Sequence, residues 1–163
     1  MIIHQIYTNG PLRNFSYLIE GTEFLYAVDP YRLSDFKDLL KGKTLSGIIN
    51  THGHGDHTCG NIALKDFSQA KVFSHEAVKV PGKTNSLKSG EILPLGDGGQ
   101  LRVLETFGHS GADICLLLEE EKPLAVFTGD VLFNAGVGNC YNGGNPKILY
   151  RSITEVLSVL GDE

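Results

Sequence analysis

Three of the six histidines of this chain fall in one short stretch, Thr51-His52-Gly53-His54-Gly55-Asp56-His57, together with a carboxylate. Imidazole nitrogens and carboxylate oxygens are the donors that a borderline cation such as zinc accepts. His52 and His54 are two positions apart, so in an extended loop they point the same way and can share one ion. Asp56 and His57 are neighbours and can turn toward a second ion beside the first. Gly53 and Gly55, without side chains, leave room for the four ligands to converge. Cys59 follows closely, but no base is obviously paired with it, and it is expected to pack rather than react. His4 and His75 fit no such pattern.

Donors of this kind need a rigid frame, and the flanking sequence supplies one. Ile2–Tyr7, Phe15–Ile19 and Phe24–Val28 read as a β-meander, broken by turn material at Asn9-Gly10-Pro11 and Glu20-Gly21-Thr22. Ser34 is expected to cap a helix over Asp35–Lys41, with Gly42 just past its end. Ser46–Asn50 reads as a buried strand that delivers the histidine loop. Asn61–Phe67 should be helical and Val72–Ser74 a short strand. Pro81–Gly90 reads as a loop. Four strands follow, over Glu91–Leu95, Leu101–Phe107, Ile114–Leu118 and Leu124–Thr128. Beyond the Gly/Asn-rich loop Gly136–Gly144, Pro146 opens a last helix with apolar positions from Ile148 to Leu160. No regular βαβ alternation is present, which favours mixed sheets covered by helices over a doubly wound parallel sheet.

The 163 residues suit one domain, with 41% hydrophobic and 20% charged residues. A net charge of −5 and the lack of any Lys/Arg run argue against nucleic acid as a partner. No secretory apolar region follows Met1, and the longest wholly apolar run, Ile114–Leu118, is too short to cross a bilayer. Three cysteines, an odd number without CxxC spacing, are expected to be free thiols in a cytoplasmic protein.

His52-x-His54-x-Asp56-His57 behind Ile48-Ile49-Asn50-Thr51 resembles the ligand motif of the metallo-β-lactamase fold superfamily. Asn14–Glu20 with Ala27-Val28-Asp29-Pro30 resembles that family's opening hairpin and acidic turn. Thr106-Phe107-Gly108-His109-Ser110 resembles the loop of its third histidine ligand, and Thr128-Gly129-Asp130 the strand end with a metal-bridging aspartate. The resemblance covers nearly the whole chain and implies an α+β, four-layer αββα sandwich over residues 1–163. It implies that His52, His54 and His109 hold one metal, and that Asp56, His57 and Asp130 serve the other, with Asp130 bridging. Two zinc ions are the implied cofactor, with iron or manganese as alternatives. Ions roughly 3.5–4 Å apart can share a water and bring its pKa toward about 7, supplying hydroxide while they polarise a carbonyl. Asp56 would then also orient the nucleophile, as the catalytic carboxylate.

Within the superfamily the chain is similar to glyoxalase II-like thioester hydrolases. Phe133–Gly143, followed by a helix, resembles the loop that contacts the thiol carrier. That makes Tyr141 and Asn139 the implied substrate-binding residues, with Asn139 where the family often has a basic side chain. The His109 loop continues Ser-Gly-Ala-Asp, without the second histidine common in glyoxalase II. The implied reaction is hydrolysis of a small acyl thioester or related ester. Its rivals are a mononuclear iron persulfide dioxygenase and a non-catalytic remnant that binds metal. Asp130 in place of a cysteine argues against a zinc penicillinase. No histidine follows His109, although the resemblance implies a last ligand on a strand after the final helix. Either that strand and a helix are missing by truncation, the favoured reading, or the second metal site is incomplete. The first metal is then expected to be held more firmly than the second, and uncovered apolar surface to promote self-association or low stability.

Overall fold

A computed structural model describes residues 1–161, so the strand expected to begin beyond Gly161 lies outside it. The strands are β1 (Ile2–Tyr7), β2 (Phe15–Glu20), β3 (Leu25–Val28), β4 (Gly47–Asn50), β5 (Lys71–His75), β6 (Asn85–Leu87), β7 (Ile92–Gly96), β8 (Gly99–Glu105), β9 (Ile114–Glu119) and β10 (Pro123–Phe127). The helices are α1 (Ser34–Lys37), α2 (Gly55–Thr58), α3 (Asn61–Ser68) and α4 (Pro146–Arg151), the last continuing as a π-helical segment, Ser152–Leu157. Strands β1 to β6 form one sheet in chain order, antiparallel from β1 to β3 and parallel from β3 to β6. Strands β10-β9-β8-β7 form a second, antiparallel sheet.

The period-two alternation of strand side chains builds the layers. Ile19, Val28 and Ile49 face the second sheet, where they meet Leu101, Val103, Ile114, Leu116 and Phe127. Their neighbours Leu18, Ala27 and Ile48 face the other way, onto Phe36, Leu40 and Leu64. On the outer face of the second sheet, Cys115 and Val131 pack with Leu149, Ile153 and Leu157 of the last helix. Helix, sheet, sheet and helix are thus the four layers, as expected. No helix among the described residues is long and apolar enough to cross a membrane.

Four local expectations need correction. The helix expected over Asp35–Lys41 is one turn, Ser34–Lys37. Ser34 lies inside it, and Leu33 holds the cap position without a side-chain bond. So short a helix has little stability of its own, and the chain beyond it follows the burial of Phe36 and Leu40 instead. The loop expected over Pro81–Gly90 contains β6, whose three residues are too few for a periodic pattern and which exists through its parallel pairing with β5. Residues 55–58 curl into α2. Finally, the last helix widens at Ser152 and ends at Leu157. That widening keeps the Ser152 hydroxyl on the Phe107 carbonyl, at 2.7 Å, while Leu149, Ile153 and Leu157 still pack together. Asn145 caps α4 by accepting from the Lys147 and Ile148 amides, with Pro146 in the first turn as expected.

Candidate metal centre

The site gathers at one end of the two sheets, where β3, β4, β8 and β10 all terminate. Strand β4 delivers Thr51 and the histidine loop, and the Ile114 amide of the second sheet donates to the Thr51 carbonyl at 2.8 Å. That bond ties the histidine loop to the sheet whose strands carry His109 and Asp130. The His109 loop is shaped by Asp113, whose carboxylate accepts from the Gly108 and Ser110 amides and the Ser110 hydroxyl. Helix α4 holds the same loop from outside, through the Asn145 amide on the Gly108 carbonyl. Asp130 follows β10 through Gly129, which has φ +50° and lies so close to Thr51 that a Cβ there would sit 2.4 Å from the Thr51 hydroxyl.

His52 Nε2 and His109 Nε2 lie 3.0 and 2.9 Å from His54 Nδ1. One Asp130 oxygen completes a group whose donor atoms all fall within 4.8 Å of one another. The outer nitrogens decide the tautomers. His109 Nδ1 faces only the Asn139 carbonyl, at 2.7 Å, so it carries the proton and leaves a lone pair on Nε2. Thr51 donates its hydroxyl hydrogen to Asp29, at 2.6 Å, and so accepts from His52 Nδ1 at 3.1 Å, which leaves a lone pair on His52 Nε2 as well. Two lone pairs therefore aim at one His54 nitrogen, which can donate to only one of them. A cation at their meeting point satisfies all of them. Bond lengths of about 2.0–2.1 Å put tetrahedral ligand atoms roughly 3.3 Å apart, close to the spacing seen, so the donor set fits a metal. Burial, then the nearby His57 charge, pushes His52 down to about 4, keeping it neutral and ready to ligate.

Beside this group, His57 Nε2 lies 3.1 Å from Asp130 Oδ1 and 3.5 Å from Asp56 Oδ2. Its Nδ1 is 2.9 Å from Asp29 Oδ2. Burial pushes the His57 imidazolium down, but the Asp29 charge, then the bonds to Asp130 and Asp29, outweigh it and hold it up to about 10. Burial acts to raise the Asp130 carboxyl, but the His57 bond and the surrounding histidines hold it below its ordinary range. The Asn14 amide donates to Asp56 Oδ2 and lies 3.2 Å from His57 Nε2. Asn14, Asp29, His57 and Asp130 border a cavity of about 550 Å³ whose walls include Phe15, Tyr17, Phe127, Leu132 and Phe133.

All six expected metal ligands, His52, His54, Asp56, His57, His109 and Asp130, therefore meet in one place. Neither expected substrate contact, Asn139 or Tyr141, lines this cavity. The Asn139 backbone braces His109 while its side chain accepts from the Tyr141 amide. Tyr141 itself is 92% exposed and does not line the cavity. Cys59 does not pack as expected; it sits exposed at the end of α2 with its thiol on the Tyr31 carbonyl. Asp29, Thr51 and Asn14 are functional neighbours that sequence reasoning left out of the site. Their only sequence signal was membership of the hairpin, acidic turn and strand end around the motif.

Among curated proteins, the chain is 40% identical to a hydroxyacylglutathione hydrolase of Nitrosococcus oceani, over 98% of this chain and 63% of the relative. It is 39% identical to a hydroxyacylglutathione hydrolase of a Polaromonas species, over the whole chain and 64% of that relative. The chain thus spans a little under two thirds of the length of these relatives. Among solved structures, ETHE1 from Myxococcus xanthus superposes with a TM-score of 0.85 at 30% identity, covering all of this chain and 72% of that one. The model of the metallo-beta-lactamase superfamily matches residues 9–161, the span that holds both sheets from β2 onward and every candidate ligand. On that match and on the four-layer fold with its convergent histidines, the chain belongs to the metallo-beta-lactamase superfamily.

Proposed function

We propose that this chain is a metal-dependent hydrolase of small acyl thioesters or related esters, glyoxalase II-like, with zinc as its metal and two ions in the complete site. The observation that carries the reading is the paired donor set. His52, His54, His109 and Asp130 form one group, and His57, Asp56 and Asp130 a second beside it, with His57 and Asp130 lining a cavity large enough for an acyl thioester. The hydroxyacylglutathione hydrolases similar to this chain support the thioester class. Residues 1–163 act as one domain in this reading. Free Cys59, Cys115 and Cys140 are in keeping with a reducing, cytoplasmic setting.

Bound at these donors, zinc would act as a Lewis acid on the thioester carbonyl and lower the pKa of the attacking water. The protein's own groups do the rest. His109 and His52 are held in the ligating tautomer by the Asn139 carbonyl and the Thr51 hydroxyl. Asp29 fixes His57 through Nδ1 and so aims Nε2 at the space between Asp56 and Asp130. Asp56, oriented by the Asn14 amide, accepts a hydrogen bond from the attacking water and turns it toward the carbonyl. Phe15, Phe127, Leu132 and Phe133 exclude bulk water from the acyl chain.

The test is zinc loading, metal analysis and a thioester panel that includes hydroxyacylglutathiones. Hydrolysis that disappears in His52→Ala and His109→Ala supports the reading, and no turnover of any thioester overturns it. A second reading, a mononuclear iron persulfide dioxygenase, is favoured by one observation. His52, His54, His109 and Asp130 make a compact set for a single ion. Oxygen uptake by the iron-loaded protein with a persulfide separates the two.

A further inference from the structure

Arg13 is the one Lys or Arg among the described residues that line the cavity beside the metal centre. It sits on the β1–β2 turn at φ +58°, a conformation uncommon for a residue with a side chain. The turn is tied down around it. The Arg13 amide donates to the Gly10 carbonyl at 3.1 Å, Thr8 donates to the Asn14 carbonyl through both its amide and its hydroxyl, and Arg32 donates to the Thr8 carbonyl. The following residue, Asn14, touches Asp56 and His57. Arg13 and the catalytic end of the cavity are therefore held in fixed relation.

Among the described residues, no carboxylate pairs with the Arg13 guanidinium; the chain's other arginine on this face, Arg32, is paired with Asp35 at 3.3 Å. Leu12, Phe15, Phe127, Leu132 and Phe133 give the cavity apolar wall, and Gln5 and Tyr17 line it as well. Asp29 and Asp130 line the same cavity, acidic groups that repel an anion unless a metal covers them. A ligand with a reactive carbonyl at one end and an anionic group at the other is complementary to this arrangement. A guanidinium is suited to a carboxylate, which it meets with two parallel hydrogen bonds.

We propose that Arg13 is a specificity-determining residue that binds a carboxylate on the substrate, remote from the scissile carbonyl. This rests on the thioester-hydrolase reading, whose substrate class it narrows to carboxylate-bearing thioesters. The carboxylate can stand on the acyl group or on the thiol, and the two sources share this chemistry.

The experiment uses the zinc-loaded chain and matched thioesters. One pair carries a free or methyl-esterified carboxylate on the acyl group, and the other carries it on the thiol. The expected result is a kcat/KM ratio, free acid over ester, of roughly five- to thirtyfold in one pair, which identifies the source. In Arg13→Gln the ratio should collapse to about one, and in Arg13→Lys it should recover in part. Calorimetric binding of the corresponding non-hydrolysable thioethers should lose the same preference in Arg13→Gln, giving a readout independent of turnover. A ratio near one in wild-type protein for both pairs, or a ratio unchanged in Arg13→Gln, overturns the role of Arg13 while leaving thioester hydrolysis intact. No hydrolysis of any member removes the underlying reading and this proposal with it. Should Arg13→Gln melt far below wild type, Arg13→Lys decides: a free-acid preference that ignores that exchange and survives high salt also overturns the proposal.

Discussion

Asp29→Asn is the most informative single substitution in this protein. Asp29 is 4% exposed and its carboxylate accepts three hydrogen bonds: from the Thr51 amide at 2.8 Å, the Thr51 hydroxyl at 2.6 Å and His57 Nδ1 at 2.9 Å. Its φ of +48° suits asparagine, so the backbone is spared. An amide has one acceptor oxygen and one donor nitrogen. If the oxygen stays on the Thr51 amide, the nitrogen faces His57 Nδ1, which must then give up its proton and carry it on Nε2. The lone pair aimed between Asp56 and Asp130 is lost. Second-ion affinity should fall about 10–100-fold, or roughly 1.4–2.7 kcal/mol. The first ion, coupled to Asp29 only through Thr51 and His52, should weaken less. Losing the charge beside the His57 imidazolium should also lower the stability of chelator-treated protein by about 2–3 kcal/mol, or roughly 5–10 °C in Tm. Zinc titration against a chromophoric chelator measures the first effect and calorimetry the second. Both zinc affinities within twofold of wild type, with an unchanged Tm, would refute the role given to Asp29.

Gly129→Ala should lower Tm and weaken zinc binding together, because a left-handed backbone and a Cβ 2.4 Å from the Thr51 hydroxyl cannot coexist without moving Asp130 or Thr51; a variant that melts and binds like wild type would contradict this. Glu119 accepts from Arg102 and Gln100, and although burial acts to raise its carboxyl, these bonds hold it below the usual range. A depressed folded pKa contributes stability above the unfolded value of about 4.3 and loses it as pH falls through the folded one. Glu119→Gln should therefore cost about 1–2 kcal/mol at pH 7 and progressively less under acid, as urea melts at several pH values will read. Among the described residues β10 is an edge strand, with Leu124 and Val126 exposed. Self-association that grows with concentration is expected in sedimentation and should be reduced in Leu124→Lys with Val126→Lys; a monomer at high concentration rules it out.

The local pattern determined what depends on neighbours along the chain. Short apolar runs bounded by turn residues marked nine of the ten strands among the described residues to within a few positions, and the spacing of His52, His54, Asp56 and His57 announced a metal site without any fold. The resemblance of the Gly-His109-Ser and Gly129-Asp130 segments to known ligand loops extended that site across the chain. Three-residue β6 and one-turn α1 were not legible, because neither is long enough to show a period and each is stabilised by what it packs against. Tertiary structure alone decided the rest. Asp29 becomes the partner of His57 because β3 and β4 run parallel with Val28 beside Ile49, which sets the two strand ends side by side. His109 and Asp130 reach His54 and His57 because the second sheet docks on the first through Thr51 and Ile114. Ligand types are written in single residues, and residue spacing can bring neighbours to one ion. Which lone pair each histidine presents depends on the group behind it, and that group arrives from another strand.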